Sequence, residues 1–252
     1  MDFGNVDVFV FDLDGTVWYW TRLIPGVRKT VTKLKKLGKT VLYVTNNTIE
    51  SRKNLAKRLG EFGIETRYKD VINAGIVIGY YIKEHNGTAL ALNVETEKDL
   101  KEVGVSIRKR PPVDYVVVTE DWDFDYQQLS LAFDAVTAGG KLLTSVMGRH
   151  WLVGNKMVPG VGCWVKAVEF ATNTIATTLG KPSDYMAKIV SRRLDDCKRT
   201  VYIGDEYESD VLFGQKLGCY TILVNTGMDK NKTSQIKPDL KLSTVADLLH
   251  HI

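Results

Sequence analysis

Short apolar runs alternate along the chain with amphipathic stretches. Val6, Val8, Phe9, Val10 and Phe11 form the first run, β-branched and aromatic, which is the pattern of a strand covered on both faces. Val41, Leu42, Tyr43 and Val44 repeat it, as do Val201, Tyr202 and Ile203. Val27, Val31, Leu34 and Leu37 recur at helical spacing, opened by Pro25-Gly26 and closed by Gly38. Up to about residue 83 the alternation predicts strand 6–11, helix 26–37, strand 40–44, helix 51–62, a short strand at 71–72 and a helix over 75–84. Residues 84–178 carry an alternation of their own, with strands at 89–92, 115–118 and 141–143 and helices over 97–103, 126–138 and 162–172. The first pattern then resumes with a helix over 183–194, strand 200–204, a helix over 210–217 and strand 220–224. The expected architecture is α/β: a Rossmann-like parallel-sheet core of residues 1–83 and 179–252, interrupted by a smaller α/β domain of residues 84–178.

Each core strand ends in small or polar residues. Asp12-Leu13-Asp14-Gly15-Thr16 follows the first, Thr45-Asn46-Asn47 the second and Gly204-Asp205 the third. Open parallel sheets bind ligands beyond the carboxyl ends of their strands, so these tips are expected to converge on one site. Asp12, Asp14 and Asp205 offer the oxygen ligands of a magnesium site, and paired acids can also divide the work of nucleophile and general acid. Thr45 and Asn46 can donate hydrogen bonds to a phosphoryl group, whose charge Lys181 can neutralise. Plainer readings exist: Asp14-Gly15 as a turn, Thr45-Asn46-Asn47 as a helix N-cap region, and Lys181 as a surface lysine before Pro182. Their joint occurrence favours chemistry. Asp210 reads equally as a metal ligand or as the cap of the helix it opens, while Glu206 and Glu208 are expected in solvent.

In this order, Asp12-Leu13-Asp14-Gly15-Thr16, Thr45-Asn46-Asn47, Gly180-Lys181-Pro182 and Gly204-Asp205 through Asp210 resemble the four motifs of haloacid-dehalogenase-superfamily (HAD) phosphatases. Leu23-Ile24-Pro25-Gly26, Pro159-Gly160-Val161-Gly162 and the run from Leu212 to Cys219 resemble the NagD-like, p-nitrophenyl phosphatase branch. That branch carries an α/β cap between the second and third motifs, where residues 84–178 lie. The resemblance implies that Asp12 attacks phosphorus to form an aspartyl-phosphate, and that Asp14 protonates the leaving alkoxide and later deprotonates water. It implies Mg2+ held by Asp12, the Asp14 carbonyl and Asp205, with Asp210 in or next to the ligand set. Thr45, the Asn46 backbone and Lys181 would bind the phosphoryl oxygens, with Gly15 and Asn47 beside them.

The implied partner is a small phosphorylated metabolite, of the p-nitrophenyl phosphate, phosphoglycolate, glycerol phosphate, nucleotide or sugar phosphate type. A homo-oligomer through the cap is also implied. A phosphotransferase using the same intermediate and a non-catalytic phosphometabolite-binding module are the competing readings; intact Asp12, Asp14, Lys181 and Asp205 weigh against the second. Specificity is expected in the cap and in the flap after Thr16, where Trp18, Tyr19 and Trp20 either close over substrate or pack the core. The cap segment after its third strand usually reads close to Thr-Asn-x-Asp in this branch, whereas here it reads Thr144-Ser145-Val146-Met147 and continues through Arg149 and His150. Arg149 and His150 are candidate contacts to an anionic substrate, against the reading that they are solvated.

Composition narrows the classes further. At 44% hydrophobic and 25% charged residues, neither disorder nor a fibrous repeat is indicated. No apolar run reaches membrane-spanning length, and Met1-Asp2-Phe3-Gly4 lacks the basic and then apolar start of a secretory signal, so a cytoplasmic protein is expected. The net charge of +4 is dispersed: Leu55, Leu59 and Phe62 form an apolar stripe while Arg52, Lys53, Lys57 and Arg58 occupy the other face, so no nucleic-acid partner is expected. Cys163, Cys197 and Cys219 show no Cys-x-x-Cys spacing, which argues against disulfides or zinc and for buried thiols.

Overall fold

The computed structural model describes residues 3–154, 156–194 and 199–252. In chain order the elements begin with β1 (Val8–Phe11), β2 (Trp18–Tyr19), β3 (Arg22–Leu23), α1 (Val27–Lys36), β4 (Thr40–Thr45), α2 (Arg52–Glu61), β5 (Val71–Asn73) and α3 (Ala74–Glu84). Next come β6 (Thr88–Ala91), α4 (Val94–Glu102), β7 (Ser106–Ile107), β8 (Tyr115–Val118), α5 (Tyr126–Thr137) and β9 (Lys141–Thr144). They are followed by β10 (His150–Val153), β11 (Lys156–Pro159), α6 (Val161–Thr172), β12 (Thr177–Thr178) and α7 (Asp184–Ser191). The last are β13 (Thr200–Gly204), α8 (Leu212–Lys216), β14 (Tyr220–Val224) and β15 (Leu240–Leu242). Two compact units result: one holds residues up to Thr45, Lys53–Ile72 and residues from Ala187 on, the other Asn46–Arg52 and Asn73–Met186.

In the first unit six strands run in the order β15-β14-β13-β1-β4-β5. β1 lies parallel between β13 and β4, with Phe11 opposite Ile203 on one side and Tyr43 on the other. This register makes Asp12, Gly204 and Val44 level at one sheet edge. Phe9 and Phe11 pack with Val27, Val31 and Leu34 of α1 and with Leu55 and Leu59 of α2, while Val10 is fully buried between them in sequence, on the opposite face. A strand with both faces covered must be apolar throughout, which is why polar residues appear only where it ends.

In the second unit a parallel sheet runs β12-β9-β8-β6-β7. β8 shows its two-sidedness: Tyr115 and Val117 pack with Ile78 and Ile82 of α3 and Leu100 of α4, whereas Val116 and Val118 pack with Ala132 and Ala135 of α5 and Val165 and Val168 of α6. The antiparallel hairpin β10–β11 follows β9.

The α/β architecture matches expectation, and several details differ. Sequence boundaries at 83/84 and 178/179 fall inside continuous packing, because Ile78, Ile82 and Leu179 share one cluster with Ala89, Tyr115 and Val117. The hairpins β2–β3 and β10–β11 escape the periodicity, the first because its strands have two residues each. The helix expected over 210–217 starts instead as a π-helical turn, Tyr207–Val211, ahead of α8. Cys219 is buried but Cys163 is exposed, contrary to expectation, and Cys197 lies outside the described residues. Among the described residues no helix is long and apolar enough to cross a membrane.

One buried acid stands apart in the second unit. Asp99 of α4 accepts the Arg52 backbone N–H at 3.0 Å and an Asn73 side-chain N–H at 2.6 Å. Burial nevertheless drives its carboxyl up to about 7 from 3.8, outweighing both hydrogen bonds and assisted by the neighbouring Glu102. The folded protein therefore keeps a proton that the unfolded chain has released, so this group lowers stability progressively as pH rises from about 4 to about 7. Asp99→Asn is expected to flatten that part of the stability profile, as read by urea unfolding at a series of pH values; an unchanged slope between pH 4 and 7 would remove Asp99 as its source.

Candidate active site

Three carboxylates meet at the tip of β1 and β13. Asp12, Asp205 and Asp210 are 6%, 2% and 1% exposed, and one oxygen from each lies within 4.8 Å of the others. Asp12 follows β1 directly, its N–H donating to the Ile203 carbonyl at 2.8 Å, so the β1–β13 ladder fixes where it stands. Asp205 follows β13. Asp210 arrives by the π-helical turn, which sends its carboxylate back onto the strand tip, where Oδ2 accepts the N–H groups of Asp205 and Glu206 at 3.1 Å each. The N-cap of α8 is the next residue, Val211.

Asp205 is held from two sides. Its Oδ2 accepts the Met228 N–H at 2.7 Å, and Thr16 Oγ1–H approaches Oδ1 at 3.4 Å. Burial, and then the negative charges of Asp12, Asp210 and Glu206, push its carboxyl well above the usual range against the Met228 hydrogen bond. Buried like charges this close are unfavourable unless a cation or protons offset them. An all-oxygen donor set of this kind fits a hard divalent cation. Glycine makes the approach sterically feasible: a Cβ at Gly15, whose φ is +85°, would sit 2.5 Å from Asp205 Oδ2, and one at Gly227 only 1.9 Å from the same oxygen. Thr226 Oγ1–H donates to the Gly15 carbonyl at 2.5 Å, tying the loop after β14 to the loop after β1.

Asp14 lies outside the acid cluster. Half-buried, it accepts the Trp18 indole N–H on Oδ1 at 2.7 Å. Trp18 is fully buried and Trp20 is 38% exposed at the turn of the β2–β3 hairpin, so the first aromatic of the flap packs the core while the third faces outward. Thr45, buried, ends β4 two positions beyond Tyr43, the partner of Phe11. Glu206, expected in solvent, is half-buried and accepts Ser209 Oγ–H at 2.8 Å, whereas Glu208 is exposed as expected.

In the second unit Lys181 is 2% exposed, not a surface lysine. Asn46 grips its backbone on both sides, accepting the Lys181 N–H at 2.6 Å and donating to its carbonyl at 3.1 Å. The carbonyls of Thr144 and Ser145 accept the N–H groups of Leu179 and Gly180 at 3.0 and 2.7 Å. The two residues that open the divergent cap segment are therefore buried supports of the Gly180-Lys181 turn. Asn47 Oδ1 accepts the N–H groups of Ile49 and Glu50, forming a turn ahead of α2. Arg149 and His150 are exposed, with the Arg149 carbonyl accepting from Cys163 Sγ–H. Sequence reasoning missed Trp18 as a partner of Asp14 and the Thr226-Gly227-Met228 loop; the second was signalled only by a Thr-Gly pair just past an apolar strand.

Residues 9–106 match the profile of a family described as haloacid dehalogenase-like hydrolase, and residues 178–248 that of a HAD-hydrolase-like family. The chain is 29% identical over 282 residues to phosphoglycolate phosphatase 2 of Arabidopsis thaliana, covering 98% of this chain and 93% of that protein. It is 28% identical over 287 residues to glycerol-3-phosphate phosphatase of Gallus gallus, covering 98% and 92%. The solved structure of p-nitrophenyl phosphatase from Archaeoglobus fulgidus superposes with a TM-score of 0.88 at 25% identity, over 98% of this chain and 99% of that one.

Gly227→Ala, which forces Asp205 or the loop to move, is expected to weaken divalent-cation binding at least tenfold, about 1.4 kcal/mol. Calorimetric titration with magnesium or manganese measures it, and an unchanged affinity would show that this loop does not set the position of Asp205.

Proposed function

Because the chain belongs to the haloacid dehalogenase-like hydrolases, we propose that it is a magnesium-dependent phosphatase that hydrolyses small phosphomonoesters through an aspartyl-phosphate. The observation that carries this reading is the separation of two aspartates two residues apart: Asp12 sits in the buried acid cluster, and Asp14 stands outside it on a hydrogen-bond donor. Relatives that cover nearly the whole chain, a phosphoglycolate phosphatase and a glycerol-3-phosphate phosphatase, support a phosphomonoester substrate.

The Asp12 carboxylate attacks phosphorus while the bond to the leaving oxygen breaks, and Asp14 supplies the proton that leaves with the alcohol. Asp14, now ionised, takes a proton from the water that attacks the aspartyl-phosphate; inorganic phosphate departs and Asp12 is regenerated. Asp12, the Asp14 carbonyl and Asp205, with Asp210 in or next to the ligand set, would hold magnesium, which would supply positive charge to offset the nucleophile and the phosphoryl oxygens. Thr45, the Asn46 N–H and Lys181 bind the phosphoryl oxygens, with Gly15 and Asn47 shaping the loops that present them. Phosphoryl transfer depends chiefly on such positioning and charge neutralisation. Residues 84–178 are the cap in this reading, and Arg149 and His150 are its candidates for contact with the leaving group.

A panel of phosphate esters (p-nitrophenyl phosphate, glycerol phosphate, phosphoglycolate, nucleoside monophosphates and pyridoxal phosphate), assayed with and without magnesium, tests the proposal. Magnesium-dependent phosphate release from at least one is expected, and none from any would overturn it. Phosphate passed preferentially to an added alcohol would indicate the phosphotransferase instead. Asp12→Asn is expected to lower turnover by on the order of 10⁴-fold or more and to abolish covalent phosphate incorporation; a labelled protein in that variant would rule out Asp12 as nucleophile.

A further inference from the structure

An acid that must first give and then take a proton needs a fixed direction, and a carboxyl group has little intrinsic preference about its last torsion, which is broad and roughly two-fold. Asp14 gains its direction from Trp18. Both belong to the turn after β1, closed by Gly15 N–H donating to the Trp18 carbonyl at 2.7 Å and Trp18 N–H donating to the Leu13 carbonyl at 3.1 Å. Within that turn the indole N–H reaches Asp14 Oδ1 at 2.7 Å. The indole itself is fully buried.

Arg58 of α2 holds the indole from the other side. Its guanidinium carbon lies 4.4 Å from the centre of the Trp18 ring and 5.8 Å from that of Phe62, and the two ring centres are 6.0 Å apart. The same guanidinium donates to the carbonyl of Trp20, which turns the β2–β3 hairpin at a left-handed φ of +54°. A cation over the face of an aromatic ring is attracted by its π-electrons, and its charge strengthens the ring N–H as a donor.

We propose that Trp18 is a positioning residue for Asp14, and that Arg58 keeps Trp18 in place, so that proton delivery to the leaving group depends on the chain Arg58–Trp18–Asp14. The chemistry of the indole defines what this does. Trp18 Nε1 can only donate, so it cannot compete for the proton in either step. Because Oδ1 faces a donor in both protonation states of Asp14, the transferable proton is carried on Oδ2. The indole thus chooses the oxygen that works and the direction in which it points. This inference rests on the proposed role of Asp14 as general acid.

Leaving-group dependence separates the two ideas. An alkoxide needs a proton to depart, whereas nitrophenolate leaves as a stable anion, and kcat/KM reports the steps up to that departure. Asp14→Asn is expected to lower kcat/KM for glycerol phosphate at least tenfold more than for p-nitrophenyl phosphate. Trp18→Phe, which keeps a ring under Arg58 but removes the donor, is expected to show the same selectivity at about ten- to a hundredfold on glycerol phosphate, with only a few-fold loss on p-nitrophenyl phosphate. The retained nitrophenyl reaction also reports that the variant folds. Arg58→Met tests the outer link should Trp18→Phe fail to fold, with a weaker selective loss expected. Equal losses on the two esters in Trp18→Phe, or in Arg58→Met where Trp18→Phe does not fold, beside a selective loss in Asp14→Asn, would overturn the positioning chain while leaving the role of Asp14 intact. Equal losses in Asp14→Asn would overturn that role and the inference with it.

Discussion

Like charge in a buried place is the constraint on which the rest of the site depends. Asp12, Asp205 and Asp210 bring three carboxylates within 4.8 Å where water is excluded, and each would be better solvated almost anywhere else. The surrounding backbone is arranged around that cost. Three N–H groups, those of Asp205, Glu206 and Met228, point at the cluster, and the sites where a side chain would intrude, Gly15 and Gly227, carry none. These devices lessen the repulsion without removing it, as the upward displacement of the Asp205 carboxyl shows. What remains is an affinity for positive charge in a place of defined shape.

The fold provides that shape through register. Because Phe11 stands opposite Ile203 and Tyr43 in a parallel sheet, the residues that follow the three strands emerge together, and Asp12, Asp205 and Thr45 need no long loop to reach the same edge. Local sequence shows this plainly: an apolar run that stops at an acid marks both a strand and its useful end. The same reasoning fails for Asp210, whose spacing looks helical but whose direction is set by a π-helical turn that no pattern of apolar residues announces. It fails for the domain limits too. The apolar face of α3 says that the helix covers a sheet and does not say which; only the packing of Ile78 and Ile82 against Tyr115 and Val117 assigns it to the second unit.

The cap segment illustrates a different kind of illegibility. Thr144 and Ser145 attract notice as a departure from a family pattern, and that suggests a changed contact with substrate. Their backbones instead anchor Leu179 and Gly180, whose neighbour Lys181 is gripped again by Asn46. A backbone carbonyl makes this anchor with many side chains, so sequence divergence there is compatible with an unchanged support. Arg149 and His150, by contrast, are exposed, and a side-chain change there disturbs less packing than one at the buried turn.

In the proposed reaction, Asp12 and Asp14 finally illustrate how one short motif would serve two chemistries. Both are aspartates and both leave the same strand, so neither residue type nor spacing distinguishes their tasks; environment does. Asp12 is placed among other acids, where a bound cation would keep its carboxylate ionised and aligned as a nucleophile. Asp14 is turned away from them where the chain bends at Leu13, and is placed against an indole that donates and never accepts. Had Asp14 faced the same cluster, a cation there would have favoured its ionised form and left it no proton to deliver. Had Asp12 faced the indole, it would have lost the charge that organises its attack. The chain bends at the intervening, fully buried Leu13, which breaks the strand alternation that would otherwise set residues two apart on one face.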